Sequence, residues 1–152
     1  MIRIMFVCHG NICRSPMAEY IFRDMAYRAG RAEQFFVASS ATSREEIRAN
    51  GGMPVYPPAK LELARHDIFC EEKRAMLLIK EDYDKFDLFI GMDEENIRNM
   101  HRIFGGDPKK KIKKLLDYAS RDEDVEDPWY TDRFDIAYRD IYDGCAALLE
   151  KL

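Results

Sequence analysis

Ile2-Arg3-Ile4-Met5-Phe6-Val7-Cys8-His9-Gly10-Asn11-Ile12-Cys13-Arg14-Ser15-Pro16 is the stretch whose reading decides the fold. Ile2 to Val7, Arg3 apart, is a run of apolar residues of the length expected for a buried strand. Gly10 and Asn11 tolerate left-handed backbone angles, which a loop needs if it is to turn its amides inward. Ser15 suits a helix N-cap, and Pro16 at the first helical position gives up no needed N–H. Met17, Ile21, Phe22, Met25 and Ala29 then form one apolar stripe, predicting a helix from Pro16 to about Ala29. The unit is strand, tight loop and helix start. The unpaired N–H groups and dipole of such a helix favour an anion. The same field favours the thiolate of Cys8, and Arg14 brings a fork of donors that fits phosphate bidentately. Of the four cysteines, only Cys8 has an arginine six positions on.

Strands and helices alternate along the rest of the chain. Phe35-Phe36-Val37-Ala38 reads as a second short strand, and Ser39 to Pro58, with Gly51-Gly52 and three prolines, as a long surface loop. Ala59 to about His66 reads as helix, Glu81 to Phe86 as a helical turn, and Asp87 to Met92 as a buried strand. Asp93 suits the N-cap of a helix to about Ile103, stopped by Gly105-Gly106. Lys111 to Leu116 is expected to form a last strand. Phe134, Tyr138, Ile141, Cys145, Leu148 and Leu152 recur at helical spacing. Such alternation implies an α/β fold with a parallel sheet covered on both faces. Ligands of such sheets bind beyond the carboxyl ends of the strands, where Cys8 falls.

The 152 residues are 47% hydrophobic, which suits one domain over 1–152 with a sizeable core. A net charge of −4 argues against nucleic acid as the partner. No stretch reaches the ~20 apolar residues of a membrane span, and the N-terminus lacks a signal peptide's pattern. Four cysteines without a framework spacing suit a reducing cytoplasm.

A covalent phosphocysteine needs a proton donor for the departing oxygen, and Asp127 in Val125-Glu126-Asp127-Pro128-Trp129-Tyr130 is the best candidate. Pro128 biases Asp127 toward an extended backbone. Trp129 and Tyr130 are placed to flank an aromatic leaving group. Asp122, Glu123, Asp124 and Glu126 are near in sequence, and their charge would help Asp127 hold its proton.

Val7-Cys8-His9-Gly10-Asn11-Ile12-Cys13-Arg14-Ser15-Pro16-Met17-Ala18-Glu19 resembles the signature of low-molecular-weight protein tyrosine phosphatases. Asp127-Pro128-Trp129-Tyr130 is similar to that family's late acid loop, and Gly91-Met92-Asp93-Glu94-Glu95-Asn96 to its Met-Asp-x-x-Asn segment. The resemblance implies a doubly wound three-layer α/β/α sandwich around a four-stranded parallel sheet. It implies Cys8 as nucleophile, Arg14 as phosphate ligand and Asp127 as acid and then base. His9, Gly10, Asn11, Ile12, Cys13, Ser15, Trp129 and Tyr130 would surround the substrate. Ser15 would ease departure of the thiolate, and Asn11 would pin the loop through a network with Ser39 and His66. Cys13 would be the redox partner able to form a protective disulfide with the nucleophile. The resemblance implies no metal and no cofactor, and a phosphotyrosine protein as substrate for a monomer or weakly self-associating enzyme. His9 and Trp129 depart from the family's commoner residues.

Three other functions compete. An arsenate reductase would need a closely spaced second cysteine pair, whereas Cys70 and Cys145 are isolated. A protein arginine phosphatase would favour a threonine hydroxyl where Ile12 stands. A phosphotyrosine-binding module or cysteine phosphocarrier would need no Asp127-Pro128 acid. Cys70, Cys145, Met92 and Met100 read most simply as packing residues, and the lysines from Lys109 to Lys114 as surface charge.

Overall fold

A computed structural model describes residues 1–48, 51–70 and 72–152. The first strand, β1 (Ile2–Cys8), is the centre of the fold. It pairs in parallel with β2 (Phe35–Ala41) on one side and with β5 (Leu88–Gly91) on the other. β6 (Ile112–Lys114) adds to β5, giving the order β2-β1-β5-β6. A separate hairpin joins β3 (Ile47–Arg48) to β4 (Gly51–Gly52). The expected four-stranded parallel sheet is present.

Side chains of β1 alternate between two apolar layers, as the period of a strand requires. Ile4 and Phe6 point into a core that includes Met17, Ile21 and Phe22 of α1 (Arg14–Arg28). Ala59 and Leu63 of α2 (Pro57–Ala64) and Ile141, Cys145 and Leu148 of α5 (Phe134–Lys151) complete that layer. Met5 and Val7 point the other way, toward Met100 and Phe104 of α3 (Glu94–Phe104). Helices thus cover both faces, forming the three-layer sandwich. Successive crossovers leave β1 in opposite directions, so its carboxyl end lies at the point where the strand order reverses. Cys8 stands there.

Several expectations need correction. The second strand does not stop at Ala38: Ser39, Ser40 and Ala41 continue it, paired with Phe6, Val7 and Cys8. What read as one surface loop from Ser39 to Pro58 therefore holds a strand end, the β3–β4 hairpin and the start of α2. α1 begins at Arg14, so Ser15 is its second residue and no side chain caps it. The last strand is three residues long and passes into a 3₁₀ turn at Leu115–Ala119. Lys114 is not surface charge: it is buried with ion-pair partners. The α3 reading holds in detail: Asp93 caps it, accepting from Asn96 N at 2.8 Å, and Gly105 ends it at φ 73°. Met92, Met100 and Cys145 are fully buried. Among the described residues, no helix is long and apolar enough to cross a membrane.

Candidate active site

The turn after β1 wraps its backbone around one sulfur. Cys8 Sγ accepts from Asn11 N at 3.3 Å and Ser15 N at 3.4 Å, and Ser15 Oγ lies 3.0 Å away. Asn11, not Gly10, takes the left-handed conformation, at φ 58°. Its side chain is fully used: Nδ2 donates to Ser15 Oγ at 2.7 Å and to Ser39 Oγ at 2.9 Å, and Oδ1 accepts from Met76 N at 2.9 Å. Because Ser15 Oγ accepts from Asn11, its own proton can go to the sulfur at 3.0 Å or to the more distant Ser40 carbonyl at 3.5 Å. This task, rather than helix capping, explains the serine.

The chain of bonds runs on past Ser39, whose hydroxyl donates to Glu19 Oε1 at 2.6 Å. Glu19 is buried and paired with Arg23 at 2.7 Å, with Lys73 Nζ 3.7 Å away. Lys73 donates to the Ser39 carbonyl at 3.0 Å. Burial and the neighbouring Arg23 push the Lys73 ammonium below its ordinary value against the pull of Glu19 and Cys8. His66 is not in this network. Its Nε2 lies 3.3 Å from Glu62 Oε2, and its ring stacks on Tyr138 with centroids 3.8 Å apart. The cations at the end of the network are Arg23 and Lys73.

Arg14 is 3% exposed. Its Nη1 donates to Asp93 Oδ2 at 2.7 Å and to the Val125 carbonyl at 2.9 Å, and Nη2 stands 3.5 Å from Asp127 Oδ2. Burial opposes its charge, but Cys8, Asp93 and Asp127 outweigh burial and raise its pKa further. Asp93 divides its oxygens between capping α3 and holding this guanidinium.

Asp127 has the extended backbone expected before Pro128, with ψ 108°. It caps a short helix, α4 (Pro128–Thr131), accepting from Trp129 N at 3.1 Å. Of its acidic neighbours, Asp124, Glu123 and Glu126 are paired with Lys114, Arg121 and Arg133. Asp127 Oδ2 itself faces the Arg14 guanidinium at 3.5 Å.

Cys8, Ile12, Cys13, Arg14, Asp127 and Trp129 line an open cleft, with His9, Gly10 and Tyr130 also on its walls. Trp129 packs against Tyr56 with centroids 4.7 Å apart, while Tyr130 is 82% exposed. His9 stands at the mouth with Nε2 3.0 Å from Glu45 and Nδ1 3.9 Å from Glu95. Cys13 is buried, and burial, then Cys8 and Asp127, push its thiol well above the ordinary range. Among the described residues no cluster of histidines, cysteines and carboxylates is arranged to hold a metal.

Sequence reasoning gave no role to Glu19, Lys73 or Glu45, and missed the role of Asp93 toward Arg14. Glu19 alone left a signal, one helical turn beyond Ser15.

Comparison with known proteins places this geometry. The family model described as low molecular weight phosphotyrosine protein phosphatase matches residues 3–152. The low molecular weight protein-tyrosine-phosphatase YfkJ of Bacillus subtilis is 38% identical over 154 residues, covering 100% of this chain and 96% of that protein. Its crystal structure superposes with a TM-score of 0.93 over 99% of this chain and 94% of that one. The human low molecular weight phosphotyrosine protein phosphatase is 37% identical, covering 97% of this chain and 94% of its own. The Drosophila arginine phosphatase DARP is 26% identical with a TM-score of 0.86, over 99% of this chain and 97% of that one.

Proposed function

Since the chain belongs to the low molecular weight phosphotyrosine protein phosphatase family, we propose that its cleft hydrolyses phosphotyrosine in proteins through a phosphocysteine on Cys8. The observation that carries the assignment of roles is the convergence on one sulfur of two backbone N–H groups and a hydroxyl, with Arg14 and Asp127 beside it in the same cleft. Donors aimed at Sγ stabilise an anionic nucleophile.

In the first step Sγ attacks phosphorus and the P–O bond to the tyrosyl oxygen breaks. Asp127 delivers its proton to that oxygen. Arg14 and the loop amides hold the equatorial oxygens, on which charge spreads as the bonds loosen. In the second step a water attacks phosphorus and gives its proton to Asp127. The S–P bond breaks, and the Ser15 hydroxyl donates to the departing sulfur. Ile12 and the Trp129 ring give the cleft apolar walls, which favour an aryl ester over the guanidinium of phosphoarginine. Cys13 is the partner for Cys8 under oxidation: a peroxide oxidises the Cys8 thiolate to the sulfenic acid, its own O–O bond breaking, and the Cys13 thiol then condenses with that acid to a disulfide with loss of water.

The test is acid-quench trapping with a phosphotyrosine peptide followed by mass-spectrometric mapping. Phosphate on Cys8 is the expected result, with Cys8→Ser abolishing turnover while inorganic phosphate still binds. Hydrolysis that persists in Cys8→Ser would remove the covalent mechanism, and faster turnover of phosphoarginine than of phosphotyrosine peptides would reassign the substrate.

A further inference from the structure

Asp127 reaches the cleft on a segment, residues 121–127, that has neither helix nor strand. A general acid on an irregular segment must be held from outside, because misplacement by about 1 Å can cost roughly 100-fold. Arg121 is held by Asp140 at one end of the segment and Glu126 pairs with Arg133 near the other, and between them three attachments hold Asp124 and Val125. Val125 N donates to Met92 O at 3.0 Å, and Val125 O accepts from Arg14 at 2.9 Å. The third is at Asp124, whose Oδ1 accepts from Glu94 N and from Lys114 Nζ, each at 3.2 Å.

Lys114 closes β6 and is 5% exposed. Its Nζ also donates to Glu94 Oε1 at 2.8 Å. One ammonium therefore ties together the end of a sheet strand, the first turn of α3 and the acid segment. Burial opposes the charge, and the bonds to Glu94 and Asp124 outweigh it, lifting the ammonium above lysine's ordinary range. Lys114 thus stays charged at neutral pH, and a buried charge stripped of partners is costly. Positions of the segment that carry Asp124 out of reach are disfavoured for that reason. Glu94 adjoins Asp93, the partner of Arg14, so the same junction also registers the acid segment against the phosphate-binding arginine.

We propose that Lys114 is a positioning residue for the general acid: through Asp124 it fixes the course of residues 124–127, and so the placing of the Asp127 carboxyl over the scissile oxygen. It acts on the first chemical step without giving or taking a proton. The proposal rests on the reading of Asp127 as the acid, and the experiment separates the two.

The experiment measures kcat/KM for a series of aryl phosphates from phenyl to 2,4-dinitrophenyl, with inhibition by inorganic phosphate, for wild type, Lys114→Met, Asp124→Asn, their double variant and Asp127→Ala. Lys114→Met is expected to lose about tenfold on phenyl phosphate and less than threefold on the dinitrophenyl ester, with phosphate inhibition unchanged. Asp124→Asn should lose in the same direction, and the double variant no more than the worse single. Lys114→Arg should recover part of the loss. A merely stabilising lysine would lower all substrates alike, and that result, or no loss, would overturn the proposal. Should Lys114→Met fail to fold, Asp124→Asn carries the same test with the lysine still paired to Glu94. An Asp127→Ala profile that is steep in leaving group beside a flat Lys114→Met profile overturns the positioning role alone. A flat Asp127→Ala profile overturns the acid assignment and the proposal with it.

Discussion

Replacing Arg14 with lysine keeps the positive charge and removes the fork. One guanidinium nitrogen now donates to both Asp93 Oδ2 and the Val125 carbonyl, at 2.7 and 2.9 Å, and the other stands 3.5 Å from Asp127. A lysine offers a single nitrogen to be divided among Asp93, that carbonyl and the phosphate. At least two hydrogen bonds involving a charged group disappear, each contributing about 1.5–3 kcal/mol. The combined loss of about 3–6 kcal/mol corresponds to roughly 10²- to 10⁴-fold in rate. Contacts to the equatorial oxygens tighten as the transition state forms, so kcat should fall more than KM rises. The helix cap does not depend on Arg14, because Asp93 Oδ1 accepts independently from Asn96 N at 2.8 Å. The variant is therefore expected to fold with α3 capped, but with a urea midpoint below wild type to the extent that Asp93 Oδ2 and the Val125 carbonyl lose their donor. Steady-state kinetics on p-nitrophenyl phosphate and a phosphotyrosine peptide, beside urea unfolding, make the measurement. A variant that keeps more than about a tenth of wild-type kcat would refute the argument that fork geometry, rather than bare charge, is what Arg14 supplies.

Two further outcomes follow from hydrogen-bonded polar groups. Ser39→Ala takes one donor from the Glu19 carboxylate and strands one Asn11 N–H, and should lower stability by about 1–3 kcal/mol and slow turnover; a urea midpoint and kcat equal to wild type would show that the network beyond Asn11 is idle. Asp107 accepts from Tyr83 Oη, Lys111 N and Ile112 N at 2.6, 2.8 and 3.0 Å, and although burial opposes its charge these bonds hold it below the ordinary 3.8. Its folded value is the lower one, so its contribution is complete above about pH 3.8 and is lost as pH falls through that folded value. Unfolding free energies of wild type and Asp107→Asn should therefore converge on acidification below pH 3.8, and parallel curves would show that Asp107 is not the linked group.

The parts of the fold that could be read from sequence are those where several local signals coincide. Asp93, Asn96 and Gly105 bracket α3 with a capping pair at one end and a left-handed stop at the other, so its limits were legible to within a residue. β2 was cut short because Ser39 and Ser40 carry the composition of a loop. They are buried all the same, since β1 supplies their backbone partners and Asn11 and Glu19 satisfy the Ser39 hydroxyl. The β3–β4 hairpin has two residues per strand, too few for any period to show. Lys114 was read with its lysine neighbours as exposed charge, because its partners lie 10 and 20 positions away and no local pattern announces them.

In the site, the residues bound to one another along the chain were legible, and those that meet only in space were not. Cys8, Arg14 and Asp127 each stand in a local motif, whereas Asp93 and Val125 meet Arg14 across 79 and 111 positions. Ser15 shows how one residue type admits two readings. A serine ahead of a proline is what a helix cap looks like, yet here the hydroxyl is claimed by Cys8 and Asn11 and the helix begins without it. Glu19 is different, because its place could have been argued. Ser15, Glu19, Phe22 and Ala26 fall at helical spacing on one line, and all four are buried. A carboxylate on the apolar face of a helix must find donors or not be ionised. Arg23 one turn on meets part of that requirement at 2.7 Å, and the Ser39 hydroxyl and Lys73 meet the rest across the sheet. The histidine expected there on family grounds lies instead on Glu62 and Tyr138, and the physical demand of the carboxylate was the better guide.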